Sequence, residues 1–296
     1  MSLLEAPGSM EGAAERALDL LDERPLVVLT GAGLSTDSGI PDYRGPDSVP
    51  RQPMTYQEFV ATPEARRHYW ARSHLGWRRM GAAAPNAGHR ALAEVDPDLL
   101  ITQNVDGLHE AAGSRRVVAL HGRVSEVICL GCRTVFPRAL VQEWLEALNV
   151  GWAEAHSDVE MRPDGDVHLD ETADFVVPDC PTCGGPLKPH VVFFGESVPK
   201  PVVQRCFDAV DALASQDGAL LVAGSSLTVM SGLRFVRRAA RNGTPVVVVN
   251  RGATRGDDLA RERLEVGTSE FLQALADRRT RWTRPRESVG VSLRRP

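Results

Sequence analysis

Five short apolar runs, each closing in small or polar residues, restrict this chain to few architectures. They are "LVVL" at 26–29, "DLLIT" at 98–102, "RVVAL" at 116–120, "ALLVAG" at 219–224 and "PVVVVN" at 245–250. A run that is apolar at every position, with no alternation, suits a strand buried on both faces, as in a parallel sheet covered by helices. Helix-like segments lie around 86–95, 200–215 and 230–242, and Ala14, Leu18, Leu20 and Leu21 mark an amphipathic helix ahead of the first run. Strands alternating with helices predict an open α/β sheet. With 296 residues, 43% of them hydrophobic, the chain can build one large domain or one domain with an insertion.

The runs end in Thr30-Gly31-Ala32-Gly33, Thr102-Gln103-Asn104, His121-Gly122, Gly224-Ser225-Ser226 and Asn250. Open α/β sheets bind ligands outside the carboxyl ends of their strands. Five decorated ends in one sheet therefore predict a composite site, because a plain turn does not need Gln-Asn-x-Asp or Leu-His-Gly. Gly31 and Gly33 permit a tight turn and close backbone approach to a diphosphate, with a following helix N-terminus favouring anions. The stretch is not a full G-x-G-x-x-G, so a packing turn suits it equally well. No Gly-Lys-Ser/Thr follows, which argues against a P-loop. The continuation through Pro41, Asp42, Tyr43 and Arg44 sets an aromatic ring and a fixed cation beside the loop. Asn104 and Asp106 can read ribose hydroxyls and a carboxamide. A neutral imidazole at His121 suits proton abstraction from a hydroxyl. His109, after Leu108 on a predicted helix, competes for that role but reads better as structural.

Two segments interrupt the α/β pattern. Residues 46–85 are helical in character and aromatic-rich, and residues 124–187 carry Cys129-x-x-Cys132 and Cys180-x-x-Cys183. Each knuckle can place two thiolates on one tetrahedral ion. The 47 residues between them exceed ordinary ribbon spacing, and the acidic stretch 151–180, with nine Asp/Glu against one Arg, accounts for the excess as an exposed insertion turning at Pro163-Asp164-Gly165. An all-cysteine set reads as a closed structural zinc site, with two separate redox pairs as the competing reading. Cys206 is left as a core thiol in a helix.

Net charge is −5 and the pI about 5.9, so nucleic-acid and membrane-surface binding are not expected; Lys occurs only at Lys188 and Lys200 among abundant Arg, which reads as base-composition bias and not function. No apolar run reaches 18 residues, and the N-terminus lacks a secretory or transit pattern. A cytoplasmic protein is expected, in which paired cysteines favour metal over disulfides.

Taken in order, "GAGLSTDSGIPDYRG", "TQNVDGLHEAAG", "LHG", the cysteine knuckles, "KPHVVFFGES", "GSSLTV" and "VVVVN" resemble the motifs of sirtuins over roughly residues 15–275. "YWARSHLGW", "NVGWAEAH", "PDGDV" and "RGDDLA" look like the class II, mitochondrial-lipoamidase-type branch and its bacterial relatives. The resemblance implies a Rossmann NAD-binding domain (1–45, 86–123 and 188–296), a helical insertion and cofactor loop (46–85) and a smaller zinc module (124–187). NAD and an acyl-lysine peptide would share one cleft between them.

By the same resemblance, Gly31, Ala32, Gly33, Asp42, Tyr43 and Arg44 form the first NAD motif, and Gln103, Asn104, Val105 and Asp106 the ribose and nicotinamide pocket. Gly224, Ser225 and Ser226 would contact phosphate and ribose, Asn250, Arg251 and Gly252 the adenosine end, and Thr268 would close over adenine. His121 would be the catalytic base, with Asn104 beside it. Val191, Phe193 and Gly195 would bind the peptide, and Cys129, Cys132, Cys180 and Cys183 one zinc ion. The implied reaction moves the acyl group of lysine to ADP-ribose and releases nicotinamide. ADP-ribosyl transfer or lipoamide cleavage in the same cleft are the alternatives. A dehydrogenase lacks a hydride-acceptor site here, and the acidic balance opposes a bare zinc-ribbon binding module. Tyr69-x-x-Arg72 superficially resembles the pair that selects acidic acyl groups in the desuccinylase branch, but it stands a few residues further from "PNAGH". The class II reading of "YWAR" is therefore preferred, and the equally weighted competing reading makes Tyr69 and Trp70 helix core and Arg72 a solvated face.

Overall fold

The computed structural model describes residues 10–42, 53–156 and 172–283. Ten helices and nine strands run through them. The strands are β1 (Leu26–Thr30), β2 (Leu99–Thr102), β3 (Val117–Ala119), β4 (Gly122–Cys129), β5 (Val135–Pro137), β6 (Leu187–Val191), β7 (Ala219–Ala223), β8 (Val246–Val249) and β9 (Glu262–Leu264). The helices are α1 (Met10–Leu21), α2 (Tyr56–Ala61), α3 (Pro63–Met80), α4 (Ala87–Val95), α5 (Leu108–Ala111), α6 (Arg138–Leu148), α7 (Trp152–Ala155), α8 (Lys200–Ser215), α9 (Met230–Arg241) and α10 (Thr268–Thr283).

The five apolar runs become five strands of one parallel sheet ordered β3-β2-β1-β7-β8-β9. Successive side chains of a strand face opposite ways, and both faces are covered. Val28, Leu100, Leu221 and Val247 face α1, α4 and α10, while Leu29, Ile101, Val222 and Val248 face α8 and α9. The sixth strand, β9, is short and edge-placed, with Glu262 and Arg263 partly or fully exposed, so it has no apolar run to betray it. The chain leaves β1 toward β2 and β3 on one side and resumes with β7 on the other. The strand order thus switches direction between β1 and β7, where such sheets form a ligand crevice.

A second, antiparallel sheet has the order β5-β4-β6. It shares one core with the helical segment: Phe59 of α2 and Tyr69, Trp70 and Leu75 of α3 pack with Val127, Cys129, Val141, Leu145, Leu187 and Phe193. The Trp70 indole N–H donates to the Leu187 carbonyl at 3.0 Å, which ties α3 to β6. Arg138, fully buried, lies between the rings of Trp70 and Trp77 at 5.3 and 4.9 Å from their centroids. Tyr69 and Trp70 are core residues, as the competing reading had them. Arg72 is not solvated: it is 6% exposed, drawn in by the same packing. Cys206 is a fully buried thiol of α8. The turn at Pro163-Asp164-Gly165 lies outside the described residues.

Candidate active site

The carboxyl ends of β1, β2, β7 and β8 open into a cleft of about 770 Å³. Gly31, Ala32, Gly33, Asp42, Gln103, Asn104, Val105, Asp106, His121, Gly224, Ser225, Ser226, Asn250 and Arg251 all line it. Val191, Phe193 and Gly195 line the same cleft. Gly252 and Thr268 do not: Gly252 sits in the turn after Asn250, and Thr268 starts α10, whose next residue, Ser269, donates to Asp37 at 2.5 Å. Tyr43 and Arg44 lie outside the described residues.

The glycine loop serves packing first. The Gly31 N–H donates to Ala223 at 3.2 Å and the Gly33 N–H to Gly224 at 2.9 Å, so both are spent on the end of β7. A Cβ on Gly31 would stand 2.7 Å from the Gly224 carbonyl, and one on Gly33 3.0 Å from it. Gly224 has φ +67, a left-handed conformation that favours glycine. The expected helix after the loop is a 3-10 turn over Ala32–Ser38, too short to sum a full macrodipole.

Polar side chains then cross-link the loop. The Asn104 amide donates to the Gly31 carbonyl at 3.1 Å and to Ser35 Oγ at 2.9 Å. Asp106 accepts from Ser35 Oγ at 2.7 Å and from the Leu108 N–H at 2.9 Å. Burial raises its carboxyl above the usual range, against these two bonds, which favour the charged form. Gln103 Oε1 accepts from Ser225 Oγ at 2.6 Å.

His121 is bonded at both ring nitrogens. Nδ1 meets the Gln103 carbonyl at 2.9 Å and Nε2 meets Ser231 Oγ at 2.8 Å. A carbonyl can only accept, so Nδ1 carries the proton, and in the neutral ring the Nε2 lone pair accepts from the Ser231 hydroxyl, which itself lines the cleft. Burial is the largest influence and holds the imidazole below its ordinary value; the Gln103 carbonyl opposes it and Arg234 acts with it. His109 is different. It is fully buried, bonds Thr30 Oγ1 at 2.9 Å, does not line the cleft, and is pushed down to about 3 by desolvation. It is a structural residue.

On the opposite wall, the Val192 N–H donates to the His121 carbonyl at 2.8 Å, joining base and wall. Lys188, 3% exposed, lies 2.9 Å from Glu196 and donates to the Val191 carbonyl at 2.6 Å. Tyr69 lines the cleft and Arg72 does not. Sequence reasoning missed Ser35, Ser231 and the Lys188–Glu196 pair. Ser35 stands inside the glycine-loop stretch and could have been suspected, whereas Ser231 has no local signal.

The four cysteine sulfurs lie within 4.8 Å of one another, with Cys129–Cys183 at 3.5 Å and Cys132–Cys180 at 3.7 Å. A tetrahedral ion with arms of about 2.3 Å sets its sulfurs about 3.8 Å apart. None of the four is in a disulfide. The residues fit one structural zinc ion, with no open coordination position.

The Sir2 family model matches residues 31–231. NAD-dependent protein deacetylase 1 of Mycobacterium avium is 53% identical over 265 residues, covering 87% of this chain and 93% of that protein. The protein of the same name from Streptomyces coelicolor is 53% identical over 268 residues, covering 88% of each. Among solved structures, a Sir2 bound to acetylated peptide is 30% identical with a TM-score of 0.70, and a Sir2–p53 peptide–NAD+ complex is 30% identical with a TM-score of 0.69. Each of these two matches covers 89% of this chain and 97% of the other.

Proposed function

The chain belongs to the Sir2 family, and we propose that this cleft carries out NAD-dependent deacylation of protein lysines with His121 as its base. The protein is an NAD-dependent protein deacetylase of the sirtuin type, and its substrates are NAD and acylated lysine side chains. One observation carries the assignment of roles. A neutral, doubly bonded imidazole at the end of β3 faces the same cleft as the strand ends of β1, β2, β7 and β8.

NAD supplies an anomeric carbon from which nicotinamide can leave. The chain supplies the rest. Gln103, Asn104 and Asp106 border the ribose and nicotinamide end, Ser225 and Ser226 the phosphates, and Asn250 and Arg251 the adenosine end. Asn104 is held by two hydrogen bonds and Asp106 by two, so little ordering remains to be done when the ligand arrives. Ile40, Tyr69, Val105, Val124, Val191 and Phe193 form apolar walls, drawn from the small sheet, α3 and the loops around them, that suit an acyl chain and exclude water once the substrates fill the cleft. His121 Nε2 takes the proton of a ribose hydroxyl as that oxygen attacks the transferred acyl group. With the division 1–45, 86–123 and 188–296 against 46–85 and 124–187, the first unit supplies most of the cleft, 46–85 supplies Pro53, Met54 and Tyr69, and 124–187 supplies Val124.

Asp106→Asn keeps shape and removes charge. The expected result is a raised KM for NAD with the melting temperature retained. Unchanged KM at normal turnover would take Asp106 out of the cofactor pocket. The function itself is tested by mass spectrometry of peptides carrying acetyl, succinyl, long-acyl and lipoyl lysines, incubated with NAD. O-acyl-ADP-ribose formed in step with free lysine is expected. ADP-ribosylated protein without free lysine would assign transferase activity instead.

A further inference from the structure

His121 belongs to a closed ring of contacts in which the deacylation reading leaves Ser231 without a role. Its Nδ1 is held by the main chain of Gln103 at 2.9 Å, and its Nε2 by Ser231 at 2.8 Å. Ser231 is the second residue of α9 and is 7% exposed. Its neighbour Gly232 lies against the Gln103 side chain, where a Cβ would come within 2.8 Å of the Gln103 amide nitrogen. Gln103 is fixed in turn by Ser225 at 2.6 Å. The first turn of α9 is therefore stitched to the β2 loop on both sides of the imidazole. His121 and Ser231 both line the cleft.

We propose that Ser231 is a positioning residue for the base: its hydroxyl holds Nε2 on the cleft side and accepts the proton-bearing Nε2–H once His121 is charged. In the resting ring the Ser231 O–H donates to the Nε2 lone pair. In the transfer step Ser231 first turns its own hydrogen away and frees the single Nε2 lone pair; the ribose O–H bond then breaks, an N–H bond forms at Nε2, and the ribose oxygen attacks the acyl carbon with the freed electron pair. The Ser231 oxygen then accepts from the imidazolium. A bond to a charged donor is stronger than one between neutral groups. Ser231 thus stabilises the charged ring more than the neutral one, and offsets part of the burial that makes His121 a weak base.

The charged groups on neighbouring elements do not supply this help. Arg234, one turn along α9, opposes protonation, and Lys200 of α8 carries the same sign. Asp106 is committed to Ser35 and Leu108, and Glu196 to Lys188.

The inference rests on His121 being the base, so His121→Ala is measured in parallel with Ser231→Ala and Ser231→Thr. Two readouts are used: product formation against exchange of labelled nicotinamide into NAD, and 15N NMR titration of the His121 ring in the ligand-free protein. Ser231→Ala is expected to lower product formation by about tenfold or more, the scale of one hydrogen bond to a charged group. Exchange should be retained, the ring should titrate at lower pH, and Ser231→Thr should recover both. Two results overturn the role of Ser231. One is wild-type product formation and an unmoved titration in Ser231→Ala while His121→Ala is inactive. The other is equal loss of exchange and product in Ser231→Ala without recovery in Ser231→Thr. Wild-type product formation in His121→Ala overturns the base itself.

Discussion

Replacing His121 by alanine is expected to lower deacylation by about 10²–10⁴-fold, the range that a positioned general base contributes. The fold should survive. The side chain sits at the end of β3, and its main chain stays bonded to Val192 whatever the side chain is. The polar groups it leaves, the Gln103 carbonyl and the Ser231 hydroxyl, border a cleft that water can enter. Departure of nicotinamide precedes the proton transfer, so nicotinamide exchange in the presence of acylated peptide should suffer much less than product formation. The pH profile of the unaltered protein gives a second check. Nε2 must be free of a proton to act as base. Activity is therefore full above the value at which the ring titrates and is lost as pH falls through it. Burial sets that value below the ordinary 6.5, so the acidic limb should lie below 6.5. If product and exchange both continue at normal rates, the base is another group. His109 does not replace it, because it is fully buried and does not line the cleft.

Removing the metal is expected to unfold the smaller sheet and to reach the cleft through the core the two share. Cys129 and Cys180 are 0% and 3% exposed and pack among Phe59, Tyr69, Trp70 and Phe193. Binding of a structural zinc is worth about 10–16 kcal/mol in isolated zinc-finger peptides, and that free energy is available to folding. Elemental analysis should find about one zinc per chain, as a single four-thiolate site requires. Cys180→Ser should lower that content and bring an early calorimetric transition. Tyr69 and Phe193, with ring centroids 5.1 Å apart, line the cleft and belong to this core, so KM for the acylated peptide should rise more than KM for NAD. Full metal occupancy in a Cys129→Ser/Cys180→Ser double variant would remove these cysteines from the metal site.

Five strands of the large sheet were legible because burial on both faces leaves no polar position to break the apolar run. Strand β9 was not, because an edge strand faces water and needs no such run. The cysteine knuckles were legible because a tetrahedral ion demands thiolates in close pairs. The polar residues at the strand ends could be read as one site because a parallel sheet brings its carboxyl ends together whatever lies between them in sequence.

Partnership was left to the tertiary structure. Gly31 and Gly33 announced a close approach, and the fold shows that the approach is to Gly224 of a neighbouring strand end, with both N–H groups spent there. Arg72 looked like a solvated charge on a helix, and packing of α3 against the small sheet buries it. His121 and His109 were two histidines of the same type. What separates them is that His121 and its Nε2 partner Ser231 line the cleft, whereas His109 and its Nε2 partner Thr30 do not. Ser231 lies 110 residues from His121 along the chain and carries no motif of its own. A residue's type and spacing determine what it is able to do. Which nitrogen it bonds, which water it loses and which charge it meets are settled only when distant segments pack, since those interactions act over a few ångströms of space and not along the chain.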